Sequence, residues 1–273
     1  MFHSVRYALP VIAFLLLSSA SFGQEVKKIA RSLSVTMGAV HYRFIDEAFA
    51  HERMQYQGTS FAAALSHQRS TGKYVFAVKG GGGSGWTSAY AQWPDARVLR
   101  LWLNAGYARR ILDHKIMKAS STLYIGGQLA SSNWVIENVD EYDEGTINGF
   151  NTVNFFIFHK TIISTGSRLE ISLSLPVAGL VKRTSYDGGI NLDLEEEYDS
   201  GEIHVIFGHT ALSGVNPLYL PELGIDFIHG IGPNTDFVIN YRFNYLKDLT
   251  IAPVRLYSNS LLAGFRFNFD RNQ

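Results

Sequence analysis

Phe237-Val238-Ile239-Asn240-Tyr241-Arg242-Phe243-Asn244-Tyr245 is the stretch on which the fold turns. Its odd positions are all large apolar or aromatic residues, and three of its four even positions are polar. A repeat of two is the period of an extended strand with two unlike faces, whereas a helix needs a repeat of 3.6. The same pattern recurs outward along the chain. In 98–107, Leu99, Leu101, Leu103, Ala105 and Tyr107 share one face. In 168–177, Leu169, Ile171, Leu173, Leu175 and Val177 oppose Arg168, Glu170, Ser172 and Ser174. In the last segment Leu261, Ala263, Phe265, Phe267 and Phe269 oppose Leu262, Gly264, Arg266 and Asn268. Weaker runs cover 33–44, 59–69, 73–79, 122–130, 152–161, 202–209 and 222–231. The fold class is all-β.

The composition narrows what such a sheet does. The chain has 273 residues with 24 Lys+Arg against 24 Asp+Glu, so a nucleic-acid partner, which calls for a basic surface, is not expected. Without cysteine it has no disulfides and no thiol chemistry. An aromatic content of 13% beside only 18% charged residues is lean for a surface that meets water everywhere. Residues 1–23 read as a secretory signal peptide: Arg6, an apolar core Val11–Leu17, and small Ser21 and Gly23 before a cut at Gln24. That core is too short to span a bilayer, which takes about 20 residues. Residues 24–273 then form a single exported domain.

Alternating strands suit a soluble sandwich or a transmembrane barrel. The barrel is favoured because the polar faces carry Gly106, Gly126 and Gly264, which suit a crowded interior, and because strand ends are rich in aromatics. Connections also alternate in length. Short turns fall at 70–73, near 113–115, at 164–167 and at 232–235; long connections are expected at 45–57, 80–97, 131–149, 181–201 and 247–257. Short turns on the periplasmic side and long loops outside are the rule for such barrels.

On the signal, the alternation and the final strand 261–269, the chain resembles the Gram-negative outer-membrane β-barrel proteins. The resemblance implies an antiparallel transmembrane β-barrel in the cell outer membrane, with lipopolysaccharide as its lipid neighbour. It also implies that Phe265, Phe267 and Phe269 form the carboxy-terminal signal read by the barrel assembly machinery, here with four residues following Phe269. Eleven candidate strands are legible, whereas single-chain barrels use an even number. Ten strands result if 202–209 belongs to an outer loop, twelve if a strand lies near 190–198.

Candidate sites are few. Arg100, Arg168, Glu170, Arg242 and Arg266 fall on polar strand faces and are expected to face the lumen, either tuning a pore or closing it as a paired core. His209 and Ser213 are the candidate catalytic pair. The phospholipase A and lipid A deacylase barrels place a His two residues before a Ser that is followed by Asn; here the gap is four, no Asn directly follows Ser213, and 209–216 reads as a turn. Twelve of the 24 acids fall in two outer connections, 137–144 and 187–202, without the spacing of a calcium loop. The glycine run 80–85 lacks the Lys-Ser/Thr of a phosphate loop and reads as an outer loop. No metal site and no cofactor are expected. Three functions stay open: a non-enzymatic barrel acting as a narrow pore, ligand binder or structural envelope protein; a lipid-modifying hydrolase; or a partner-docking adhesin.

Overall fold

The computed structural model describes residues 28–46, 50–89, 96–116, 119–138, 145–183, 209–214, 218–249 and 254–270. These form twelve strands: β1 (Lys28–Asp46), β2 (Ala50–Ser70), β3 (Tyr74–Ala89), β4 (Ala96–Ile116), β5 (Ala119–Asn138), β6 (Gly145–Ser164), β7 (Ser167–Arg183), β8 (His209–Gly214), β9 (Leu218–Tyr219), β10 (Glu222–Gly230), β11 (Thr235–Asp248) and β12 (Val254–Asn268). Each pairs antiparallel with its neighbour from β1 to β7 and from β10 to β12. β12 then returns to β1 from Ser32↔Asn268 to Asp46↔Val254, and β10 pairs with β7. The ring of pairings from β1 round to β12 is closed, which is how a barrel disposes of unpaired backbone groups.

The barrel has ten strand positions, because β8, β9 and β10 share one of them. Against β11 the register runs unbroken, Leu218↔Asp248, Tyr219↔Lys247 and Glu222↔Asn244, with Tyr245 N–H donating to the Pro221 carbonyl. Against β7 it jumps: Gly214 pairs with Ala178 and Glu222 with Ser174, so the numbering advances by eight on one side and by four on the other. Of the two strand counts the sequence allowed, ten is the one observed. Segments 190–198 and 202–208 lie outside the described residues, as do residues 1–23.

Two expectations need correction. Residues 209–214 form strand β8 rather than the start of a turn, because the segment finds an open ladder on β7, from Arg183↔His209 to Ala178↔Gly214. The glycine run 80–85 is not a loop either; it lies in mid-β3, paired with Leu65–Ser60 on one side and Leu103–Val98 on the other. Glycine is required there by close approach. A Cβ on Gly81 would sit 2.8 Å from Cζ2 of Trp102 and within contact of the Ala63 carbonyl.

The long connections expected at 45–57, 80–97, 131–149 and 247–257 are mostly strand, continuing past the apolar band. β2 and β4 each hold 21 residues. At about 3.3 Å per residue and a tilt near 40°, each rises roughly 50 Å, against about 25–30 Å of hydrocarbon.

Candidate functional site

The two faces of the wall are chemically distinct. Outward lie Met37, Phe61, Leu65, Leu101, Leu103, Val153, Val177, Leu261, Phe265 and Phe267, each at least 40% exposed although large and apolar. So broad an apolar exterior is untenable in water and natural in lipid. Among the described residues no helix is long and apolar enough to cross a membrane; the strands make the crossing.

The interior holds two tiers. The outer tier is apolar: Val40, Tyr42, Val98, Trp134, Phe150, Val181, Leu246, Leu256 and Leu262 form one buried cluster, with Ala62 and Leu220 packed against it. These residues come from nearly every strand position and meet across the lumen. Tyr42 of β1 makes an edge contact with Trp134 of β5 at 5.8 Å between ring centroids, although β2, β3 and β4 separate those strands in the wall. Phe150 is 1% and Val181 0% exposed, so this layer is as close-packed as a soluble core.

Toward the end of the short turns the interior becomes charged, and the two tiers meet at Trp134, over whose ring the Arg100 guanidinium stacks at 4.6 Å. Arg100 donates through Nε to Ser132 Oγ at 3.3 Å. Its Nη2 reaches Glu222 Oε2 on β10 at 3.5 Å, a contact spanning the lumen from a strand four positions away. Arg242 binds Asp226 with both terminal nitrogens, at 2.5 and 2.8 Å, and Asn240 donates to the same carboxylate at 2.7 Å. Space for that fork comes from Gly224, directly opposite Arg242 in the register, where a Cβ would stand 3.0 Å from Arg242 Nη1. Arg168 donates through Nε to Glu170 at 2.9 Å and lies 3.8 Å from Asp236, which accepts from Asn268 at 2.9 Å. Arg266 donates to Ser34 Oγ at 3.4 Å, and the Lys79 ammonium sits 5.5 Å over the Trp102 ring.

The five charges expected from sequence, Arg100, Arg168, Glu170, Arg242 and Arg266, thus lie on the inner face, in separate pairs and small groups. Glu222, Asp226, Asp236 and Lys79 join them, residues that the strong strands of the sequence do not single out. Their signal was available: Glu222, Gly224, Asp226 and Ile228 alternate with Leu223, Ile225, Phe227 and His229, so parity alone puts both carboxylates inside. His209 and Ser213 lie on β8, opposite Arg183 and Gly179. Four residues of strand separate them by about 13 Å, where a nucleophile and its base need hydrogen-bond reach. The acidic segments 140–144 and 187–202 lie outside the described residues. Phe265, Phe267 and Phe269 stand on the lipid face, Phe265 edge-on to Phe237 at 6.2 Å.

A closed ladder with a lipid-compatible exterior, around an interior packed with one apolar and one charged tier, decides the class. The chain is a membrane-type antiparallel β-barrel. No protein-family model matches it, and no curated protein matches it. Solved structures with a similar form include the outer membrane protease OmpT from Escherichia coli, 9% identical, covering 88% of this chain and 96% of that one at a TM-score of 0.44. Neisserial surface protein A is 13% identical, covering 87% and 97% at 0.33. Ail, the attachment invasion locus protein of Yersinia pestis, is 13% identical, covering 87% and 99% at 0.28. Superposition that loose carries over neither a function nor a site.

Proposed function

We propose that this outer-membrane barrel is a non-enzymatic, non-conducting structural protein of the envelope. The observation that supports the reading is the filled lumen. An apolar tier drawn from nearly every strand position closes the outer half, and ion pairs inside the barrel, of which Arg100–Glu222 crosses the lumen, brace the rest. Ions cross a close-packed apolar layer only at the cost of their hydration, which amounts to several kcal/mol or more per charge. Function on this reading resides in the outer wall and the outer hairpins, and biogenesis runs through the barrel assembly machinery acting on Phe265, Phe267 and Phe269.

Single-channel recording of the refolded mature chain in a planar bilayer tests it. A silent bilayer is expected from protein whose folded band shifts on heating in a gel. Steady ohmic steps from the same preparation would refute the closed lumen and return Arg100, Glu222 and Arg242 to the role of selectivity residues.

A further inference from the structure

On the outward face of β1, β12 and β11 three cations cluster at the aromatic row, Arg43 beside Tyr257 within it and Lys247 and Arg255 one step beyond it. Lys247 is directly opposite Arg255 in the β11–β12 register. Arg255 in turn pairs with Ile45 of β1, two residues beyond Arg43, which pairs with Tyr257. Opposite positions on paired strands hold their Cβ atoms about 5 Å apart, and diagonal ones about 7–8 Å, so Arg43, Lys247 and Arg255 project from one small patch. Like charges placed directly opposite destabilise a sheet. Among the described residues none of the three has a carboxylate partner, and Nε of Arg43 is buried without a hydrogen bond.

At and beneath the patch the same strands carry aromatic rings. Tyr257 contacts His41 at 6.3 Å and Phe243 at 5.2 Å, and Tyr245 meets Tyr219 at 6.1 Å. Below the rings comes the apolar exterior, with Leu261 and Phe265 of β12 and Met37 of β1. Acyl depth, then amphipathic rings, then clustered cations is the order in which a membrane presents chains, interface and headgroup phosphate. The patch lies at the loop-rich end, hence in the outer leaflet.

We propose that Arg43, Lys247 and Arg255 form a binding site for the phosphate of a phosphorylated glycolipid of the outer leaflet, whose acyl chains lie along β11, β12 and β1. A phosphate between the three cations turns a repulsive cluster into charge-assisted hydrogen bonds, with each guanidinium able to grip two oxygens. The site is independent of whether the lumen conducts, so its failure and that of the closed-lumen reading are separable.

The test compares the refolded mature chain in phosphatidylcholine vesicles alone, with bisphosphorylated lipid A, and with the same lipid dephosphorylated, reading Tm from the loss of the heat-modifiable band. Wild type gains stability only with the phosphorylated lipid, and R43Q/K247Q/R255Q binds it at least tenfold more weakly. Arg31→Gln, a cation at the opposite end of β1 that lies 3.8 Å from Asp270, leaves the gain intact. Lys247→Gln alone gives a sharper signature. It raises Tm in phosphatidylcholine, where it relieves the opposed charges, and lowers it with lipid A, where it removes a ligand to phosphate. An undiminished lipid A shift in the triple variant overturns the proposal. So does a Lys247→Gln effect of one sign in both vesicles. Inorganic phosphate reproducing the whole shift also overturns it, since the site would then serve a free anion.

Discussion

Replacing Asp226 tests whether the lumen charges act as a folded core. The carboxylate accepts from Arg242 at 2.5 and 2.8 Å and from Asn240 at 2.7 Å, and the ion pair is mostly shielded, with side-chain exposures of 19% and 13%. Asp226→Leu strips the Arg242 guanidinium of its directly paired carboxylate inside a narrow barrel, leaving one backbone acceptor, the Tyr241 carbonyl at 3.0 Å, and only the more distant charges of Glu222 and Glu170. Breaking one half of such a pair costs about 3–5 kcal/mol, roughly two to four decades in the folding equilibrium. Removing both halves with residues of like volume, as in Asp226→Leu/Arg242→Met, is expected to be close to neutral, because no charge is then stranded. The two single variants and the double therefore form a cycle with a coupling of about 3 kcal/mol or more. Urea unfolding in lipid vesicles, followed through tryptophan fluorescence, measures each corner. The reasoning is refuted if the single variants lose less than about 1 kcal/mol, or if the double variant loses the sum of the two.

Two further substitutions probe the packing. Phe150→Ala empties the centre of the apolar tier and is expected to cost about 3–5 kcal/mol in the same assay; together with Trp134→Ala it is expected to convert a silent barrel into one that passes brief current steps in a planar bilayer. Gly81→Ala drives a methyl group against Trp102 Cζ2 and the Ala63 carbonyl, and is expected to lower Tm and shift the Trp102 emission, whereas Gly72→Ala, whose Cβ meets nothing within 4 Å, changes neither.

Alternation made the wall legible because each strand separates lipid from lumen. Phe237 to Tyr245 and Leu261 to Phe269 show it over their whole apolar length, and the same parity placed Arg100, Arg168, Glu170, Arg242 and Arg266 inside. The partners of those charges were harder to see. Arg100 meets Glu222, 122 residues away, through a contact that exists only once β4 and β10 face each other across a closed ring. The apolar tier was hidden for a related reason. Val98, Phe150, Val181, Leu246 and Leu256 occupy lumen positions expected to be polar, so at those points apolar residues fill both faces and the contrast fades.

The ends of the strands were misjudged for another physical cause, and that cause carries information. Along β1 the outward residues run Leu33, Val35, Met37 and Ala39, then His41 and Arg43, while the ladder to β12 continues without interruption to Asp46. β12 does the same in reverse, from Arg255 through Tyr257 and Asn259 to Leu261, Ala263 and Phe265. The strand persists because its hydrogen bonds are satisfied by its neighbours whatever solvent surrounds it, but the reason for an apolar outward face ends where the lipid ends. Loss of alternation therefore marks the membrane boundary rather than the end of a strand. On β1, β12 and β11 that boundary falls at the aromatic row, where Arg43 stands beside Tyr257 with Arg255 and Lys247 one step beyond, the level at which a phosphorylated headgroup would meet the wall.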